Sequence, residues 1–114
     1  MKRVYVAGAY SAGNVIDVLD NMRKGMRLST EVMLAGFAPF CPWLDYHFQL
    51  MLRDDENLTV QNYYDYSIAW LDASDAVLLV PGWESSKGTI AEIERAEQLG
   101  IPVYTNLYEV QKNI

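Results

Sequence analysis

The chain alternates between short, continuous apolar runs and longer stretches in which apolar residues recur every three or four positions. The first pattern marks strands buried on both faces, the second amphipathic helices. Val4-Tyr5-Val6-Ala7-Gly8 is the first run, followed by a loop of small residues from Ala9 to Gly13. Asn14 is a good N-cap. Val15, Leu19, Met22, Met26, Ser29 and Met33 then follow at helical spacing, until Gly36 supplies a stop. Phe37 to Cys41 reads as a second strand halted by Pro42, and Trp43 to Leu58 as a long loop with a short helix. Thr59 caps a helix running to Asp72, with Val60, Tyr63, Tyr64, Ser67, Ile68, Trp70 and Leu71 on its inward arc. Ala76 to Val80 is a third strand, Pro81 to Gly88 a loop, and Thr89 to Leu99 a helix closed by Gly100. Ile101 to Thr105 and Leu107 to Lys112 complete the pattern as a strand and a helix.

Strands that alternate with helices predict an α/β fold: a flavodoxin-like, doubly wound parallel sheet of four to five strands with helices on both faces. Ligands of such sheets sit outside the carboxyl ends of the strands, at the switch point of the strand order. The loops after Gly8, Cys41 and Val80 are therefore expected to share one site. With 114 residues, the chain is expected to form one domain spanning 1–114.

Composition narrows the function. Nine basic against fifteen acidic residues give a net charge of −6, which argues against a duplex nucleic-acid partner. A small anionic metabolite remains compatible, because a helix N-terminus can bind it locally. One cysteine, Cys41, excludes an intrachain disulfide and a paired-cysteine zinc site, and one histidine, His47, excludes a histidine-cluster metal site. No apolar run reaches the roughly 18 residues of a membrane span, and the short apolar start does not read as a signal peptide. The expectation is a cytoplasmic protein that works without a cofactor or a membrane.

The helix after the third strand carries the sharpest candidate. At helical rotation Thr89, Glu92, Ile93, Ala96 and Leu99 share one arc, whereas Lys87, Ala91, Glu94, Arg95 and Gln98 point away. Glu94 is thus an ordinary solvated carboxylate, but Glu92 falls among residues that face the sheet. Burying a charge is costly, so Glu92 is either a rim group reaching water or a nucleophile or base at the carboxyl edge of the sheet. Ser85-Ser86-Lys87-Gly88-Thr89 opens this helix, either as an anion or hydroxyl site or as a plain cap provided by Ser86. Gly8 to Gly13 is neither a dinucleotide fingerprint nor a P-loop. Tyr5, Tyr10, Trp43, Tyr46, His47, Phe48 and Trp83 lie in or beside the site loops and offer faces for a nucleobase, with ordinary packing as the alternative.

Four segments together carry a family resemblance: Tyr5 to Tyr10, Pro39 to Pro42, Trp70 to Leu79, and Pro81 through Glu92 to Val103. Through them the chain resembles the nucleoside 2-deoxyribosyltransferase superfamily, which includes the 2'-deoxynucleoside 5'-monophosphate N-hydrolases. Gly88-Thr89-Ile90-Ala91-Glu92 is similar to the transferases' Gly-Thr-x-x-Glu, which implies that Glu92 is the nucleophile. Ser86 and Gly88 with Glu92 also resemble the hydrolases' Ser-x-Gly-x-x-x-Glu, whose Ser binds a 5'-phosphate. Tyr5 resembles a strand tyrosine near that nucleophile. Two positions depart from the pattern. Where the family carries an Asp four residues before the Leu of its Trp-Leu segment, this chain has Ser67, with Asp65 turned to the other side of the helix. The hydrolases' Arg in the first loop is also missing here.

The resemblance implies cleavage of the N-glycosidic bond of a nucleoside or nucleotide through a glycosyl-Glu92 intermediate, with Tyr5 beside it. Gly8, Tyr10, Asp45, His47, Ser67, Trp83, Ser86 and Gly88 are the expected substrate contacts. The proton donor to the base is left open between Asp45, His47 and water. Two rival readings stay open: a nucleotide-binding module without turnover, and a hydrolase of NAD-like dinucleotides. The apolar first helix, together with the family's shared sites, predicts a homodimer or higher homo-oligomer.

Overall fold

The computed structural model describes residues 1–114. Strands β1 (Arg3–Ala7), β2 (Ala38–Phe40), β3 (Ala76–Leu79) and β4 (Val103–Tyr104) form one sheet in the order β2-β1-β3-β4, all parallel. Five helices connect and follow them: α1 (Val15–Leu34), α2 (Tyr46–Leu50), α3 (Val60–Asp72), α4 (Lys87–Gln98) and α5 (Leu107–Asn113). The side-chain alternation of the strands sorts the core into two layers. Val4, Val6, Leu78 and Val80 meet Met22 and Val32 of α1 and Val110 of α5. Tyr5, Ala7, Val77 and Leu79 meet Leu71 of α3 and Ala96 of α4 on the other face. Both faces are covered, which is why the strands read as unbroken apolar runs. The result is the expected flavodoxin-like doubly wound sheet, with four strands.

Local signals set the ends of the helices. Asn14, Thr59, Ser86 and Asn106 each accept a hydrogen bond from the backbone N–H three residues on. Thr59 and Asn62 close a full capping box. Gly36 ends α1 with φ +93°, a conformation that other residues rarely adopt. Because Ser86 is the cap, α4 begins at Lys87, two residues before the expected start at Thr89.

Three expected helix faces are corrected. Val15 and Met33 of α1 are 67% and 61% exposed, and the buried stripe is Met22, Gly25, Ser29 and Val32. The stripe follows Gly25 because the indole of Trp43 rests on it, and a glycine gives no hydrophobic signal. On α3 only Leu71 is buried: Val60 is exposed because the start of the helix borders a cleft instead of the core, and Trp70 lies outside that cleft, half-exposed, with its ring stacked on Phe40 at 5.7 Å between centroids. Leu99 is exposed because it caps the end of α4, past the sheet.

Trp43 lies in a 3-10 turn (Pro42–Asp45) and is the largest fully buried side chain. A Cβ at Gly25 would fall inside the van der Waals radius of its ring. In an open helix, Gly→Ala is worth about 1 kcal/mol of stability, whereas forcing a methyl into a packed core costs about 1–3 kcal/mol. The ring cannot slide away, because Trp43 Nε1 donates to the Ala9 carbonyl at 3.1 Å. Gly25→Ala is therefore expected to lower the urea midpoint of unfolding despite its better helix propensity. An unchanged or raised midpoint would show that Trp43 can move.

Candidate active site

β1 and β3 are adjacent, but the chain leaves them toward opposite edges of the sheet, so a crevice opens at their carboxyl ends. A cleft of about 650 Å³ occupies this place, a volume usual for small-molecule sites. Its walls come from β1 and the following loop (Tyr5, Gly8, Tyr10), the 3-10 turn (Trp43, Asp45), α3 (Tyr63, Tyr64, Ser67) and the start of α4 (Ser86, Gly88, Glu92). A smaller hollow of about 410 Å³, beside the end of α1 and the start of α5, holds none of the candidate residues.

Tyr5 points from β1 to the α3 and α4 side, and its ring stacks on Phe40, its cross-strand partner, with centroids 5.3 Å apart. The stacked, fully buried ring holds the Tyr5 hydroxyl at the cleft floor, where it donates a short hydrogen bond to Glu92 Oε2. Glu92 reaches this point one turn into α4. Burial pushes its carboxyl up to about 7, against the opposing pull of the Tyr5 hydrogen bond. Burial, followed by the negative charge of Glu92, drives the Tyr5 phenol far above its usual range, so it remains a neutral donor. Ser67 lies close enough to that phenol to favour its ionised form.

A second tyrosine–carboxylate pair lines the same cleft. Tyr10 Oη donates to Asp45 Oδ1 at 3.1 Å. Burial raises the Asp45 carboxyl, and the Tyr10 hydrogen bond opposes the rise. Ser86 is occupied as a cap, since its Oγ accepts from the Thr89 N–H at 3.2 Å and pairs with Thr89 Oγ1 at 2.9 Å. Lys87 is the one basic residue among the lining side chains. No group of three or more His, Cys, Asp or Glu side chains is arranged to hold a metal ion. No helix is long and apolar enough to cross a membrane.

Tyr5, Gly8, Tyr10, Asp45, Ser67, Ser86, Gly88 and Glu92 thus meet in one cleft. His47 and Trp83 do not. His47 sits exposed on α2, where its Nδ1 bonds the Leu44 carbonyl at 3.0 Å, because a short helix after Asp45 carries it away from the opening. Trp83 packs its ring on the apolar layer around Tyr5 and Leu79. Tyr63 and Tyr64, on the arc expected to face inward, both line the cleft instead of the core, and Tyr64 Oη reaches the Gly88 carbonyl at 3.5 Å. Their hydroxyls, on the same arc as Ser67, were the available signal: a core arc rarely carries three hydroxyls.

The raised Glu92 carboxyl has a consequence for stability. Between pH 4.5 and about 7 the folded chain keeps a proton that the unfolded chain releases, so stability falls as pH rises through this window. Above it the whole cost of the buried charge is present, on the order of 3 kcal/mol. Glu92→Gln keeps an acceptor for Tyr5 and does not titrate. It is expected to be more stable than the parent at pH 8 and equal to it at pH 4, as read by thermal unfolding at both pH values. A difference independent of pH would contradict the burial of the charge.

A 2-deoxyribosyltransferase from the psychrotolerant bacterium Bacillus psychrosaccharolyticus shares this fold, with a TM-score of 0.68 over 98% of this chain and 91% of that one. The two sequences are 13% identical, so the likeness is one of architecture. A search of curated proteins finds no match. Residues 2–106 match the family described as a domain of unknown function (DUF7768), and with nearly its whole length inside that match the chain belongs to this family.

Proposed function

We propose that the protein cleaves the N-glycosidic bond of a (2'-deoxy)nucleoside or its 5'-monophosphate through a covalent glycosyl intermediate on Glu92, passing the glycosyl group to water or to a second base. The observation that carries this reading is the Tyr5–Glu92 pair at the floor of the switch-point cleft. The transition state for leaving-base departure carries positive charge at the anomeric carbon. A carboxylate in a poorly hydrated cleft stabilises that charge strongly and can then bond to the carbon. With its carboxyl titrating near 7, Glu92 is a usable nucleophile at neutral pH. Tyr5 occupies Oε2 and leaves Oε1 for the sugar. Tyr10, Tyr63 and Tyr64 supply flat faces and hydroxyls for base and sugar. At the opening, Lys87 and the first N–H groups of α4 would meet a 5'-substituent. The fold shared with a 2-deoxyribosyltransferase supports the reading. The exposed apolar side chains of α1, Val15, Ile16, Leu19, Met33 and Leu34, support a homo-oligomer.

A panel of nucleosides and 5'-monophosphates, with and without a free acceptor base, tests the proposal and separates hydrolysis from transfer. Glu92→Ala and Glu92→Gln should each lose at least about a thousandfold in rate, while the solvated Glu94→Gln should be close to the parent. Full turnover by Glu92→Gln sinks the assignment.

One observation favours a second reading, a nucleotide-binding module without turnover: Ser67 stands beside Tyr5 where the resembled transferases carry a carboxylate. On the catalytic reading the parent turns over, and Ser67→Asp slows it, because a second carboxylate next to Glu92 raises both pKa values and adds a buried charge. A parent that binds nucleotide but never cleaves it, and a Ser67→Asp variant that begins to, would decide for the binding module.

A further inference from the structure

The cleft contains two carboxylates, and each is held by a different tyrosine hydroxyl. Glu92 enters from α4, whereas Asp45 enters from the 3-10 turn after β2. Asp45 is fixed more firmly than a loop residue usually is. It follows the buried Trp43 by two positions, and the Trp43 indole is tied to the Ala9 carbonyl, next to the Tyr10 that bonds Asp45 Oδ1. Asp45 Oδ2 takes no hydrogen bond within the chain, and it is not sealed from solvent. One carboxylate oxygen is thus anchored and the other is free to meet a ligand.

Departure of a nucleobase needs a proton or an equivalent hydrogen bond at a ring nitrogen or exocyclic oxygen. Resting on the reading of Glu92 as nucleophile, we propose that Asp45 is the catalytic acid that protonates the leaving base. The other candidates fit poorly. His47 is exposed and turned to the Leu44 carbonyl. A serine hydroxyl such as that of Ser67 is too weak an acid. The phenols of Tyr5, Tyr10 and Tyr64 are all pushed further from acidity, mainly by burial. In the first step an oxygen lone pair of Glu92 forms the bond to the anomeric carbon. The C–N bonding pair moves onto the base, which takes the Asp45 proton. In the second step water, or the N–H of an incoming base, attacks the same carbon. Asp45 takes its proton, and the C–O pair returns to Glu92.

The surroundings of Asp45 fit an acid. Its carboxyl is raised by burial, which keeps the proton on to higher pH. The titratable groups that feel it are Tyr10, Cys41, and Tyr63 and Tyr66 of α3. Glu92 and Lys87 of α4 line the far wall. No basic side chain contributes to the shift of Asp45. The working form needs Asp45 protonated and Glu92 ionised, so the rate should rise and then fall with pH.

Matched substrates test the assignment: 2'-deoxyguanosine with 7-methyl-2'-deoxyguanosine, and 2'-deoxycytidine with 3-methyl-2'-deoxycytidine. At slightly acid pH both methylated bases already carry a positive charge and leave without a proton. Asp45→Asn should lose at least about 100-fold in kcat/KM on the ordinary substrate and no more than about a tenth of that factor on its methylated partner. Glu92→Gln should lose both activities alike. In the parent, the fall in rate just above neutral pH should be present for 2'-deoxycytidine and absent for 3-methyl-2'-deoxycytidine, whose base keeps its charge there; 7-methyl-2'-deoxyguanosine loses its N1 proton near neutrality and serves only for the mutant comparison at slightly acid pH. Equal losses on both substrates, or identical pH profiles for the parent, would overturn the role of Asp45 while leaving Glu92 as nucleophile. The parent profiles decide this even if Asp45→Asn does not fold. A parent inert on all four substrates and on their 5'-monophosphates would overturn the nucleophile reading and this inference with it.

Discussion

The seating of Trp43 is the contact on which the geometry of the cleft depends. Its indole fills the space left by the missing side chain of Gly25 on α1, and it touches the place a Cβ on Gly8 would occupy. Its N–H bonds the carbonyl of Ala9. One buried ring therefore fixes three segments that are distant in sequence: the long helix, the loop after β1 and the turn after β2. Two tight glycines are the structural counterpart, since a close-packed interior leaves no slack for an added methyl. The Tyr10–Asp45 pair hangs from this anchor, which is how residues on two loops acquire a defined position.

The opposite wall is governed by electrostatics. A helix one turn from its start delivers Glu92 against the sheet, where hydration is poor and the ionised form is disfavoured. The fold compensates only in part, with one phenolic hydrogen bond from a ring that is itself immobilised by stacking on Phe40. Incomplete compensation leaves the carboxyl titrating near neutrality. A fully paired carboxylate would be more stable and chemically inert. The exposed Asp72–Arg95 pair shows this contrast: two hydrogen bonds at 2.8 and 2.9 Å hold the Asp72 carboxyl below its usual range, well away from the cleft.

The two carboxylates also divide the cleft by origin. Glu92 and its neighbours belong to a strand–helix unit whose geometry is repeated throughout such sheets, while Asp45 belongs to an irregular segment between β2 and α3. Regular elements position a group through backbone geometry, and irregular ones need side-chain anchors. The chain meets the second requirement with Trp43 and Tyr10.

By itself the sequence determined the order of the elements, the caps of α1 and α3, the parallel sheet and the place of the cleft, and it left Ser86 open between a cap and an anion site. What it determined follows from local rules: apolar runs, the side chains of Asn14 and Thr59, and the glycines after the helices. It also singled out Glu92, because a carboxylate among sheet-facing positions is costly enough to stand out. The tertiary structure alone decided which face of α1 is buried, because Gly25 and Ser29 carry no hydrophobic signal and their role exists only opposite Trp43. It alone separated Asp45 from His47, two residues apart in one irregular stretch, bringing the first into the cleft and leaving the second in solvent. It alone turned the hydroxyl-bearing arc of α3 into a cleft wall. Helical periodicity says that an arc faces inward but not whether it meets the core or a space left for a ligand. That depends on how far the neighbouring helix stands off, which is a property of packing between distant segments.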